Sequence, residues 1–193
     1  GEVKALSRGI VFRKDEIDRH HFPAFHQIDG LLICKKSKKI ITQDVLKEVQ
    51  IDLAKGIFGD GIEYKFLDDE FPYTIESLEM DIKFNGNWLE VNGAGLVNPV
   101  VLKNFGLDPD VYNGWAFGFG DRLAMIKMGI PDIRILWSDD SRITSQFKDI
   151  NSTFKEVSKY PSIIRDISFI VGKEVGINNY FEIAREYAGN LIE

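Results

Sequence analysis

Alternation and helical spacing divide the chain into short segments. Ile10 to Arg13 and Phe25 to Ile33 read as two β-strands joined by a charged loop. From Thr42 the period changes: Val45, Leu46, Val49, Leu53 and Ile57 form an apolar stripe, so 43–57 is a helix packed on a sheet. Thr42 or Asp44 can cap its start, and Gly59 lies just past its end. Ile62 to Leu67, Leu78 to Phe84 and Trp88 to Gly93 alternate as strands. Asn85-Gly86 between the last two is a hairpin turn, because both residues tolerate positive φ. Asn98 to Phe105 and Asp108 to Tyr112 read as short helices. Gly114 to Gly120 is a strand with alternating glycines that runs into a helix opening with Asp121 and Arg122. Short connections favour antiparallel order, since parallel neighbours need long crossovers. The expectation is an α+β fold, an antiparallel sheet flanked by helices.

Three places carry candidate chemistry. In the strand 25–33, period-2 geometry gives Phe25, Gln27 and Asp29 one face and His26, Ile28 and Gly30 the other. An aromatic plane, an amide and a carboxylate thus lie beside a strand that ends in Arg13. Such a face suits a base, an amine and a phosphate together; an antiparallel hairpin with a solvated loop (Lys14, Asp15, Glu16, Asp18, Arg19, His20, His21) is the plainer alternative. Phe71 and Tyr73 flank a proline after Asp68, Asp69 and Glu70, and serve either as core aromatics at a turn or as a pocket wall. Glu90 falls inside an apolar strand, which points to a polar cavity there because a buried carboxylate needs a partner. The glycine-stripped strand 114–120 leaves one face bare for a flat ligand.

Composition changes little. The chain has 193 residues, enough for one good-sized core or one domain with a small second one. A net charge of −6 means that any nucleic-acid contact rests on a local patch rather than on bulk attraction. Cys34 is the single cysteine, which excludes an intrachain disulfide. No apolar run is long enough to span a membrane.

The stretch Phe12-Arg13-Lys14-Asp15, followed by His21, Phe25 and Asp29, resembles motif 2 of the class II aminoacyl-tRNA synthetases. Gly114 to Met125 resembles their motif 3. Phe-His-Gln at 25–27, Phe-Pro-Tyr at 71–73, Trp-Leu-Glu at 88–90, Gly-Trp-Ala-Phe-Gly at 114–118 and Gly-Ile-Pro-Asp-Ile-Arg at 129–134 narrow the resemblance to the phenylalanyl-tRNA synthetases, over nearly the whole chain. It implies ATP-dependent ligation of phenylalanine to its tRNA through an aminoacyl-adenylate, with Mg²⁺. It implies that Arg13 and Arg122 are catalytic. Arg13, Asp15, His21, Phe25 and Arg122 would hold ATP, with Arg13 on the α-phosphate and adenine between Phe25 and Arg122. Gln27, Asp29, Phe71, Tyr73, Ala116 and Gly118 would hold the amino acid: Asp29 near its ammonium, its ring in a slot between Phe71 and Tyr73, and Ala116 and Gly118 as the floor. Glu90 is the candidate metal contact.

The resemblance further implies a catalytic core over 1–150 that lacks motif 1, then a partial ferredoxin-like anticodon-binding domain over 151–193. In that second part Ile163 to Val171 is read as a strand and Asn179 to Tyr187 as a helix. A second copy of the chain or a missing segment is an expected partner. The compartment is the cytoplasm or, alternatively, the mitochondrial or plastid matrix. Tyr73 stands where the family usually has Phe, Asp29 where it usually has Glu, and motif 3 is one residue short at Asp121, which rotates Arg122 relative to the family position. Two other readings remain: a non-catalytic paralogue that binds nucleotide, amino acid or RNA, and a related ligase for another amino acid such as phosphoserine. A metal site at His20, His21 and His26 is disfavoured, since His26 faces away from the other site residues.

Overall fold

The computed structural model describes residues 1–14, 16–158, 160 and 163–189. They divide into two units, Gly1–Val157 and Ser158–Glu193.

The first unit is built on a six-stranded sheet in which every neighbouring pair is antiparallel, as expected. Its strands are β1 (Glu2–Phe12), β2 (Ala24–Lys35), β3 (Glu63–Asp68), β4 (Thr74–Phe84), β5 (Asn87–Val97) and β6 (Tyr112–Gly120), in the order β1-β2-β6-β5-β4-β3. The helices are α1 (Gln43–Phe58), α2 (Pro99–Asn104), α3 (Asp121–Met128) and α4 (Ser141–Thr144).

One face of the sheet carries the core. Leu78, Ala94 and Phe117 pack beneath Leu46 of α1, while Met80, Ile82 and Val91 pack beneath Ala54. The Val45 N–H donates to the Thr42 hydroxyl and starts α1, and Gly59 at φ 96° ends it. The fully buried row on α1 is Leu46, Gln50, Ala54, one position over from the centre of the apolar stripe. Gln50 is buried with its side-chain oxygen accepting a hydrogen bond from Asn92 of β5, while Gln50 Nε2 and Asn92 Oδ1 find no partner among the described residues. At the β4–β5 turn Asn85 and Gly86 have φ of 50° and 82°, the pair a tight type I′ hairpin needs.

Several elements differ from the sequence reading. β1 begins at Glu2 rather than Ile10 and pairs with β2 from Glu2↔Cys34 to Phe12↔Ala24. It is an edge strand exposed along nearly its whole length, so no buried face imposes alternation on it. Residues 108–112 form a turn rather than a helix: the Asp108 carbonyl accepts from the N–H groups of Val111 and Tyr112, and Tyr112 then joins β6 opposite Lys35. The first unit runs past the expected boundary at 150, because Phe154 is buried with Met125, Met128, Ile130 and Ile133 and its N–H donates to the Met128 carbonyl at 2.7 Å.

In the second unit the helix is present as α5 (Ile177–Ala188). No strand forms at 163–171, where the described residues of this unit offer no other strand to complete its hydrogen bonds. Phe169 instead packs on Tyr180 at 4.8 Å between ring centroids.

Leu46→Ala should destabilise the chain by about 2–5 kcal/mol in urea unfolding, the range for emptying a fully buried leucine site. A cost no larger than that of Lys47→Ala would mean that α1 is not packed on the sheet.

Candidate active site

The opposite face of the sheet holds a cavity of about 670 Å³, within the usual range for small-molecule sites. Register assembles its base. Asp29 of β2 lies opposite Gly118 of β6, which in turn lies opposite Gly93 of β5, so the three share one face. Gln27 lies opposite Gly120 in the next row.

The glycines make room for side chains from other strands. A Cβ on Gly118 would come within 2.8 Å of both Asp29 Oδ1 and Gln27 Nε2. These two side chains therefore lie across bare backbone, where Gln27 Nε2 donates to Asp29 Oδ1 at 2.6 Å. A Cβ on Gly93 would meet the Phe71 ring at 2.6 Å, so the aromatic wall lies down on β5. Phe71 and Tyr73 are nearly parallel, 10° between planes and 5.9 Å between centroids. Another ring between them would need about 7 Å, two aromatic contact distances. The expected slot between them is thus closed, and a ligand has only their outer edges and faces to lie against. The two rings sit side by side because their residues are two apart in one short segment. Ala116 lines the cavity next to them, opposite Gly95.

The two arginines enter from different elements. The Arg13 N–H donates to the Pro23 carbonyl at 2.9 Å, which closes the β1–β2 loop and sets Arg13 opposite the start of β2. The Arg13 guanidinium lies 5.0 Å from the centroid of the Phe25 ring, a cation–π distance. Backbone backs that ring, since a Cβ on Gly120 would be 3.2 Å from Phe25 Cδ2. Arg122, in the first turn of α3, also lines the cavity, and its Nη1 donates to Glu90 Oε2 at 2.9 Å. Arg13 rather than Arg122 thus covers Phe25 in the free protein.

Glu90 reaches this face through a β-bulge. Met80 pairs with Asn92 and Asp81 with Glu90, leaving Val91 as an extra residue in β5. In strict alternation Glu90 would share the core face with Ala94; the bulge turns it into the cavity, where its side chain is half exposed. Glu79 lies on the same face opposite Gly93, and burial, with Glu90, Asp81 and Asp69 nearby, pushes its carboxyl above the usual range.

His20 and His21 also line the cavity. Asp18 organises their loop: its Oδ1 accepts the N–H groups of His20 at 2.6 Å and His21 at 2.7 Å, and its Oδ2 lies 2.9 Å from His21 Nδ1. These contacts, that of the His21 ring first, hold the Asp18 carboxyl down at about 2. His26 points to the other face, where its ring stacks on Trp137 at 4.9 Å and 17°. Among the described residues no group of three or more His, Cys, Asp or Glu side chains is arranged to hold a metal ion. Asp15 lies outside the described residues. The site thus gathers Arg13, His21, Phe25, Gln27, Asp29, Phe71, Tyr73, Glu90, Ala116, Gly118 and Arg122 around one cavity. Sequence reasoning missed the Glu90–Arg122 pair, because the bulge that creates it has no local pattern of its own. It also missed the bond between Asp121 and His26, which lie 95 residues apart.

Since the folded Asp18 carboxyl titrates below an unfolded one, its tie to the loop is complete above the ordinary value of 3.8 and is lost as pH falls through about 2. An NMR titration of Asp18 should show that low midpoint; a midpoint near 3.8 would mean that the loop is not held this way.

Comparison with known proteins places the chain in a family. The family model for the tRNA synthetases class II core domain (F) matches residues 1–147. A chloroplastic/mitochondrial phenylalanine–tRNA ligase of Arabidopsis thaliana is 40% identical over 204 aligned residues, covering 100% of this chain and 47% of that protein. The mitochondrial phenylalanine–tRNA ligase of Mus musculus is 36% identical, covering 96% of this chain and 49% of its own length. The phenylalanine–tRNA ligase alpha subunit of Clostridium perfringens is 43% identical, covering 75% of this chain and 45% of its own. The chain therefore spans about half the length of the curated relatives it matches, and it belongs to the family of class II tRNA synthetase core domains (F).

Proposed function

We propose that this chain is the catalytic core portion of a phenylalanine–tRNA ligase, which activates phenylalanine with ATP and passes it to tRNA. The observation that carries the reading is that one cavity holds an aromatic plane under an arginine and, along the same strand, a carboxylate over bare backbone. Class II tRNA synthetases use ATP, generally with Mg²⁺. In this site the adenine takes the face of Phe25 that Arg13 covers, and Arg13 moves to the α-phosphate. Arg122 exchanges Glu90 for phosphate oxygens, and His21 lies near the outer phosphates. Asp29 receives the ammonium of the amino acid, and Gln27 holds Asp29 in place. Phe71 and Tyr73 meet the phenyl ring from one side, and Ala116 and Gly118 form the floor.

The phenylalanine carboxylate attacks the α-phosphorus; an O–P bond forms, the bond to the bridging oxygen breaks, and pyrophosphate leaves. The nucleophile is already an anion, so no protein base is required. These side chains contribute alignment and charge neutralisation. Glu90, a half-exposed carboxylate that Arg122 can release, would be the residue to hold a divalent cation here. There the ion would neutralise phosphate charge.

The second unit is read as the start of an anticodon-binding domain of the ferredoxin-like type, with α5 as its first helix and tRNA as its ligand. A second copy or a further segment of chain is the expected partner. The names of the plant and mouse relatives support a mitochondrial or plastid matrix over the cytoplasm. Among the described residues no helix is long and apolar enough to cross a membrane.

In the complete protein, Arg13→Ala should slow ATP–pyrophosphate exchange by about 2–4 kcal/mol of transition-state stabilisation while leaving phenylalanine binding nearly unchanged. Unchanged exchange would assign Arg13 to packing alone. Ala116→Gly should admit para-substituted phenylalanines with a gain of about tenfold to a hundredfold, the scale on which an apolar pocket rejects one extra group. No gain would put the side-chain pocket elsewhere. Tight binding of tyrosine or phosphoserine in preference to phenylalanine would assign the site to another amino acid.

A further inference from the structure

We propose that Asp121 is a positioning residue for nucleotide binding, bracing the two elements that carry Phe25 and Arg122. The proposal rests on the nucleotide reading of the site given above. Asp121 is the first residue of α3, and its side chain is only 10% exposed. Its Oδ2 accepts the backbone N–H of His26 at 2.8 Å, and its two oxygens lie 3.2 and 3.3 Å from His26 Nδ1. The β2–β6 ladder ends at the pair Gln27↔Gly120. The Asp121 carboxylate extends that ladder by one rung, with a side-chain oxygen in place of a carbonyl. The residues it joins are the immediate neighbours of site residues: His26 stands between Phe25 and Gln27, and Asp121 precedes Arg122.

Buried Leu123, Met125 and Met128 seat α3 by packing, and the Asp121 carboxylate adds a hydrogen bond at its start. Gly120, the N-cap of α3, supplies no side-chain hydrogen bond to the helix. The carboxylate therefore both offsets the positive end of α3 and ties it to the sheet. On the far side, the half-exposed His26 ring stacks on Trp137, and the brace itself ends on the His26 backbone N–H. Removing the carboxylate leaves the His26 N–H without its acceptor and frees the first turn of α3 to shift. A displacement of about 1 Å in a binding group is enough to cost on the order of a hundredfold in a reaction that depends on alignment.

The test is a cycle of Asp121→Ala, Asp121→Asn, Arg122→Ala and the double variant Asp121→Ala/Arg122→Ala in the complete protein. ATP and phenylalanine affinities are measured by titration calorimetry, and His26 amide hydrogen exchange by NMR. Asp121→Ala should weaken ATP on the order of tenfold to a hundredfold and leave phenylalanine unchanged. Asp121→Asn keeps an oxygen acceptor for the His26 amide and should restore ATP affinity to within about threefold, because the rung survives. In the Arg122→Ala background the further loss from Asp121→Ala should shrink to about threefold or less, since the brace then has less to position. The His26 amide should be protected in the unmutated protein, a readout that needs no variant to fold. An unprotected His26 amide, an Asp121→Ala loss of the same size with or without Arg122, or equal losses for ATP and phenylalanine would each overturn the proposal. Failure of the unmutated protein to bind ATP would overturn the nucleotide reading, and this inference with it. ATP binding that Asp121→Ala leaves unchanged would overturn the inference alone.

Discussion

The register between β2 and β6 is the constraint on which the rest of the site depends. Asp29 opposite Gly118, and Gly118 opposite Gly93, put a carboxylate and two bare backbone positions in one row across three strands. A slip of one residue would exchange the faces of β2, sending Gln27 and Asp29 toward the helix side and His26 and Ile28 into the cavity. The core helps prevent the slip. Phe117, next to Gly118, packs with Leu46, Leu78 and Ala94 on the other face, so the residues that bury the sheet also hold the glycines in place. Fold stability and site geometry are thus set by alternate residues of the same strand.

In the free protein both arginines already have partners. Arg13 lies over Phe25 and Arg122 pairs with Glu90. Each contact is partly exposed and is therefore modest in strength, on the order of 1 kcal/mol or less. Charge-assisted bonds to a phosphate are stronger than either. A polyanionic ligand can therefore draw both arginines off their present partners at small cost. An uncharged base gains only the stacking that Arg13 already has. This is the physical sense in which the cavity fits a nucleotide better than a nucleoside.

Much of this was legible in the sequence, and the reasons differ from residue to residue. The shared face of Phe25, Gln27 and Asp29 follows from strand period alone. The Asn85-Gly86 turn follows from backbone sterics, and α1 from its cap and stripe. The strand–helix junction at Gly120 and Asp121 was visible as glycine alternation meeting a helix start. What escaped were features created by pairing between distant segments. β1 carries no alternation because both its faces are exposed, so its first eight residues gave no strand signal. The bulge at Val91 depends on the register with β4, and it turned Glu90 from an expected buried carboxylate into a half-exposed partner of Arg122. Gln50 is buried in the core, where it meets Asn92 of a strand distant in sequence. At 163–171 the resemblance implied a strand, but a strand needs a neighbour, and the described residues of that unit supply none.

The central claim is that the bare face of β5 and β6, and not the helix-covered one, receives the amino acid. Ala116 and Ala54 test it directly, because Ala116 lines the cavity while Ala54 of α1 is buried against the opposite face of the sheet. With ¹³C-labelled alanine methyl groups in the complete protein, addition of phenylalanine and a non-hydrolysable ATP analogue should shift the Ala116 methyl signal and leave that of Ala54 in place. A shift at Ala54 without one at Ala116, or no shift at either, would contradict the account.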